Sequence, residues 1–152
     1  MKDDKLKIDV YRADVESGLL LPYVDGGIQA GFPNPAQDYL DVSIDLNREL
    51  VKNPMATFYG RVRGDSLMDA DVLEGDVLVI DKSEAVLEGD MVVAFVDGDF
   101  TLKFFHRKGD EVWLMPANEK YEPIKVTKEN DFMVWGVVMY TIRDNRKRRK
   151  RR

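Results

Sequence analysis

Ser66, in the turn-like stretch GDSLMD, is the first residue that could do covalent chemistry in this chain of 152 residues. A serine hydroxyl is a weak nucleophile unless a neighbour takes its proton. The chain holds one histidine and no cysteine, so a thiol nucleophile is excluded. A serine–histidine pairing would have to use His106, which follows a strand-like run and reads as a surface or hairpin-end residue. Lysine is the other side chain known to serve as the base of a serine nucleophile. A lysine base must be neutral, so an ammonium that ordinarily titrates near 10.4 has to be brought towards 7 or 8. A drop of roughly 3 units corresponds to about 4 kcal/mol, which burial among apolar side chains can supply. Lys103, in FTLKFF, has such surroundings in sequence. On a strand it shares one face with Thr101 and Phe105, while Leu102 and Phe104 take the other. The same pattern fits a lysine that guards an edge strand against aggregation, and the residues alone leave both readings open.

Other chemistries find little support. Asp65, Asp69, Asp71, Glu74 and Asp76 crowd one region but lack the oxygen-ligand spacing of a calcium loop. They read as solvated turn carboxylates, and no metal is expected. Neither GxGxxG nor GxxxxGK[ST] occurs, so no phosphate-cradling loop and no cofactor is expected either.

The formal net charge of -5 hides an asymmetry, because the last seven residues, Arg146 to Arg152, are all basic. Without these 7, 16 of the 23 basic residues face 28 acidic ones, a net of -12. An acidic body argues against a broad nucleic-acid-binding face. The tail, residues 143–152, reads as a solvated, disordered block of like charge, with DNA, an anionic surface or an acidic partner as its functional alternative. A hydrophobic fraction of 44% and this length suit one compact domain with a real core. The absence of cysteine, of an apolar N-terminal run and of any membrane-length apolar stretch places the expected setting in the reducing cytoplasm.

The elements that must position Ser66 and Lys103 are mainly β. From Thr57 onward, short apolar runs alternate with turn signals: TFYGRV, DVLVID, DMVVAFV, FTLKFFH, EVWLMP, PIKV and FMVWGVVMYTI. VDGDF carries Asp-Gly at the centre of a hairpin. The tetrapeptide Leu-Glu-Gly-Asp occurs twice, at 73–76 and 87–90, each time before an apolar run, and reads as one turn chemistry used twice. Upstream, IDLNRELVKNP predicts a short helix with Asp45 as N-cap and Pro54 at its end. Residues 1 to about 43 show no sustained period, and Pro22, Gly26, Gly27, Gly31, Pro33 and Pro35 break regular structure. That segment reads as an extended arm whose apolar residues, among them Leu19 to Leu21, dock against something. The expected fold is therefore a compact antiparallel β domain over 57–142, a linker and short helix over 31–56, and an N-terminal arm over 1–30.

GDSLMD, the Leu-Glu-Gly-Asp turn, VLVID, a second Gly-Asp, the DGD hairpin and TLKFF occur in order, with 37 residues between Ser66 and Lys103. Together with LMPANEKYEPIKV and VWGVV they resemble the LexA/UmuD family of self-cleaving Ser/Lys peptidases, over roughly residues 30–142. The resemblance implies Ser66 as nucleophile, Lys103 as general base and the backbone N–H groups of Asp65 and Ser66 as oxyanion hole. QAGFPNPAQDY is similar to the self-cleavage region of the UmuD branch, which implies scission between Ala30 and Gly31. Some 30 residues before Gly31, without a three-helix pattern, set the chain apart from the repressor branch with its DNA-binding domain. The UmuD branch implies the DNA-damage (SOS) response, a homodimer, cleavage stimulated by a RecA–single-stranded DNA filament, and a UmuC-like Y-family translesion polymerase subunit as partner. Leu67 stands where many members carry methionine, and the basic tail lies past the last matched strand. Two alternatives stay open: a polymerase-binding subunit that does not cleave, and a peptidase acting on a phage or mobile-element repressor.

Overall fold

The computed structural model describes residues 7–13, 20–22, 43–63, 72–117 and 122–146. All seven expected β runs are strands: β4 (Thr57–Arg63), β5 (Val77–Asp81), β6 (Met91–Val96), β7 (Asp99–Lys108), β8 (Glu111–Met115), β9 (Ile124–Val126) and β10 (Phe132–Ile142). Before them lie β1 (Lys7–Arg12), β2 (Leu20–Pro22) and β3 (Ser43–Asp45), the last leading into helix α1 (Leu46–Leu50). Eight strands form one sheet in the order β1-β4-β5-β10-β6-β7-β8-β9, every neighbouring pair antiparallel, while β2 and β3 make a separate two-stranded ribbon.

Local chemistry accounts for the junctions. The Asp45 carboxylate accepts from the Asn47 N–H at 3.0 Å and caps α1, satisfying one of the donors that a helix start leaves orphaned. The helix ends at Leu50, earlier than Pro54 had implied, because Val51 turns extended and buries its side chain to 5% exposure. Pro54 instead opens a short 3-10 turn, Pro54–Ala56, a first-turn position where its missing N–H costs nothing. The β6–β7 hairpin turns on Asp97 and Gly98, with φ of 49° and 92°. Two positive φ angles in a two-residue loop match the right-handed twist of the flanking strands. Asp97 holds this strained position by accepting from Asn130 Nδ2 at 2.6 Å and from the Asp131 N–H at 2.8 Å.

β1 and β2 lie in the segment expected to be an arm without regular structure, and β3 in the expected linker. KIDVYR alternates only across Ile8 and Val10, too briefly to stand out as a period. Its strand character comes from its partner, β4, with which it pairs from Lys7↔Arg63 to Arg12↔Phe58.

Side chains cover both faces of the large sheet. One face carries Val62, Leu78, Ile80, Val93 and Leu102, joined by Val72, with Ile8 and Trp135 packed against them. The other carries Val92, Ala94, Phe105, Leu114 and Val137. Register places Thr57, Asp81, Val137, Val92 and Lys103 in one row across β4, β5, β10, β6 and β7 on this second face. At about 4.8 Å per strand the two charged residues of the row stand roughly 14 Å apart and form separate centres.

Asp81, 2% exposed, accepts from Asn53 Nδ2 at 2.7 Å, the Ser83 N–H at 2.8 Å and Ser83 Oγ at 2.7 Å. Burial pushes its pKa up, but the hydrogen bonds from Asn53 and Ser83 together outweigh this and leave it below the ordinary value. A depressed carboxylate pKa stabilises the fold fully above the unfolded value, and that contribution is lost as pH falls through the folded value. Asp81→Asn is therefore expected to cost about 2 kcal/mol at pH 7, the scale of hydrogen bonds to a charged group. The gap between variant and wild type should narrow as the pH is taken from 7 to below the ordinary carboxylate value near 4. Urea midpoints at these pH values check this; a gap that does not change with pH contradicts it.

Candidate active site

Lys103 lies near the middle of β7, a strand with β6 on one side and β8 on the other. β8 pairs with β7 from Phe104 to Lys108, so Lys103 sits just outside that pairing and is partnered by Val92 on the β6 side. Lys103 is 8% exposed, between Leu102 at 1% and the half-buried Phe104, opposite Val92 at 0%, with Phe105 two residues on at 8%. Its ammonium Nζ donates to Thr101 Oγ1 at 2.8 Å and approaches the Leu102 carbonyl at 3.5 Å. Thr101 shares its face, as strand alternation requires, and orients the amine.

Ser66, Asp65, Ala30 and Gly31 lie outside the described residues. What the fold does show is how both ends of the segment carrying Ser66 are held. β4 ends at Arg63, and beyond the segment Val72 is 1% exposed in the same apolar cluster as Val62. Leu102, beside Lys103, belongs to that cluster too, so one core joins the strand leading to Ser66 with the strand bearing Lys103.

The two Leu-Glu-Gly-Asp turns serve these two strands in the same way. In the first, the Asp76 carboxylate accepts from the Leu73 N–H at 2.9 Å, the Asp76 N–H donates to the Leu73 carbonyl at 3.0 Å, and Gly75 takes a φ of 89°. Gly75 N–H then donates to the Val62 carbonyl at 2.8 Å, and Val62 N–H to the Asp76 carbonyl at 2.9 Å. In the second, Asp90 accepts from the Leu87 N–H at 2.8 Å, Asp90 N–H donates to Leu87 at 3.1 Å, and Gly89 has a φ of 84°. Gly89 and Asp90 exchange the same pair of bonds with Phe105, both at 2.8 Å. Each turn thus clamps a strand close to a candidate residue: Val62 is four residues before Ser66 and Phe105 two after Lys103.

Asp76 corrects the reading of these acids as solvated. It is 2% exposed and takes Arg143 Nη2 at 2.7 Å and Nε at 3.1 Å, the bidentate geometry that suits a guanidinium. Sequence reasoning missed this pair, since nothing local connects an aspartate to an arginine 67 residues downstream. His106 is half-exposed on β7 and pairs with Glu88 at 2.6 Å. Glu88 is held below the ordinary glutamate value first by the Arg107 N–H and then by His106, so this histidine serves a surface contact. Among the described residues no group of three metal-ligating side chains gathers, and no helix is long and apolar enough to cross a membrane.

Residues 22–139 match the family described as Peptidase S24-like. The chain belongs to the LexA/UmuD family of self-cleaving Ser/Lys peptidases. Within this family it is similar to Protein SamA of Salmonella typhimurium LT2, at 38% identity over 77% of this chain and 81% of that one. It is similar to Protein MucA of Escherichia coli at 33% over 90% and 94%. Protein ImpA of Salmonella typhimurium matches at 39% over 80% and 82%. The LexA/UmuD match runs from the last residue of β2 through most of β10 and so includes both clamped strands. Its chemistry is that of an autoproteolytic serine peptidase, and the relatives place it on the UmuD-like side of the family.

Proposed function

We propose that this chain cleaves itself between Ala30 and Gly31 and, so shortened, serves as the accessory subunit of an error-prone translesion polymerase. Ser66 Oγ attacks the Ala30 carbonyl while neutral Lys103 takes the hydroxyl proton. The tetrahedral oxyanion is held by the backbone N–H groups of Asp65 and Ser66. Its collapse breaks the Ala30–Gly31 bond, and Lys103 returns the proton to the Gly31 amine. Water then releases the acyl group from Ser66. The observation that carries this reading is Lys103: a lysine in the family's motif whose side chain is 8% exposed, opposite Val92 on β6. A bond in the same chain, or in the partner copy of a homodimer, reaches the serine at high effective concentration. Control then falls on docking, and a RecA–single-stranded DNA filament acts by favouring the docked arm. The product binds a UmuC-like Y-family polymerase subunit.

The test is incubation of the full chain with RecA, single-stranded DNA and nucleotide, beside Ser66→Ala. The wild type should yield two fragments and the variant none. A wild type that stays whole under these conditions sinks the self-cleavage reading and leaves a non-cleaving, polymerase-binding subunit.

A further inference from the structure

The strand β1 belongs to the segment that the proposed cleavage severs, yet it forms one edge of the eight-stranded sheet. It covers the whole length of β4, with six paired residues from Lys7↔Arg63 to Arg12↔Phe58, and Ala13 N–H adds a bond to the Thr57 carbonyl at 3.2 Å. Ile8 and Val10 form one wall of an apolar cleft of about 160 Å³, whose remaining lining is Ile80, Val93, Phe100 and Trp135. Gly60 provides the seat: a Cβ there would lie 2.6 Å from Ile8 Cγ2, so this position must be glycine for an aliphatic side chain to settle on it. On the opposite face Asp9 stands across from Arg61 and binds Arg63 Nε at 3.1 Å.

We propose that β1 is a removable edge strand, and that the edge of β4 it covers is a docking site for an extended segment of a partner protein. The segment presents an acidic residue between two β-branched apolar residues. This rests on the cleavage reading above, which frees residues 1–30 from the rest of the chain and leaves β1 held only by non-covalent contacts. Departure of β1 uncovers the main-chain donors and acceptors of alternate β4 residues, Thr57, Tyr59, Arg61 and Arg63, the Gly60 seat and the cleft floor at Ile80 and Trp135. A row of unpaired strand groups beside an apolar groove is the template for strand addition, in which the main chain gives affinity and side-chain pockets give specificity. The opposite edge, β9, has three residues and presents Lys125, the short, charged form that discourages such pairing. Charge selects the occupant. Two β4 edges paired antiparallel about Val62 would set Arg61 of each copy against Arg63 of the other, and like charges directly opposite repel. An acid at the Asp9 position answers both arginines. Because Arg63 and Asp9 are 62% and 36% exposed, this pair sets choice of partner more than strength.

The test uses the full chain carrying Ser66→Ala, so that no cleavage occurs and the outcome does not depend on it. Two further variants loosen β1 and leave the β4 seat intact: Ile8→Ser with Asp9→Lys, and Ile8→Ser with Val10→Ser. The probe is a fluorescein-labelled peptide of residues 5–13, KLKIDVYRA, read by anisotropy, with hydrogen exchange reporting the β4 amides. Loosened variants should lose protection at β4 and bind the peptide at least tenfold more tightly than the parent. The same peptide carrying Asp9→Lys should bind about fivefold more weakly, a preference that Arg61→Glu with Arg63→Glu reverses. The proposal is overturned if β4 stays protected in both loosened variants, if exposed β4 binds neither peptide, or if both peptides bind equally. Dimerisation of the loosened variants through β4 would overturn it in favour of a second copy as occupant.

Discussion

Lys103→Met is expected to reduce self-cleavage by about 10³-fold or more while leaving the protein folded. In serine peptidases, removing one member of the nucleophile–base unit costs on the order of 10⁴ to 10⁶ in rate, because its members act together. Methionine keeps the length and volume of the lysine stem among Leu102, Val92 and Phe105, and replaces a buried amine by an apolar group. Such exchanges of buried charge are often neutral or stabilising, so loss of activity cannot be put down to unfolding. The measurement is the fraction of full-length chain remaining over time, with a thermal melt of both proteins alongside. Cleavage within tenfold of wild type would show that Lys103 is not the base.

Arg143→Met is expected to destabilise the fold by about 3 kcal/mol, since removing one member of a buried pair leaves the other charge uncompensated. For a chain of this size that is a fall of roughly 6 to 12 °C in melting temperature. Asp76 is 2% exposed and Arg143 reaches it through two nitrogens, so the carboxylate cannot turn to water without opening the turn. Asp76 also holds the Leu73 N–H and, through its backbone, Val62, the two sides of the segment bearing Ser66. Cleavage should therefore slow together with the loss of stability. Adding Asp76→Asn should recover part of the melting temperature but not the rate, because the buried charge is gone while the clamp stays loosened. An Arg143→Met protein that melts within 1 °C of wild type would contradict the role given to this pair.

Features written in neighbouring residues were legible in the sequence. Asp45 caps α1 because its acceptor lies two residues from its donor. Asp97-Gly98 makes the β6–β7 turn through backbone angles that only a few residue types adopt. The twin Leu-Glu-Gly-Asp turns repeat one hydrogen-bond pattern because four residues suffice to make it. Lys103 was legible as a candidate from its apolar neighbours, whereas its burial opposite Val92 depends on β6 pairing with β7 and required the fold. Features that rest on distant partners were not legible. β1 is a strand because β4 pairs with it some fifty residues downstream, and Asp76 is buried because β10 delivers Arg143 to it. The twin clamps on Val62 and Phe105 join both kinds: the turns are local, but which strand each one grips is set by the sheet order.

The central claim is that Ser66 and Lys103 cut this chain at one bond. Its most direct test is intact-mass spectrometry of the purified full chain held at pH 7 and at pH 10 without any filament, beside Ser66→Ala. A lysine base works only when neutral, so alkaline pH should replace the stimulus. The account predicts a product lighter by the mass of Met1–Ala30, formed faster at pH 10 and absent from the variant. A product cut at another bond, or equal cleavage in Ser66→Ala, would contradict it.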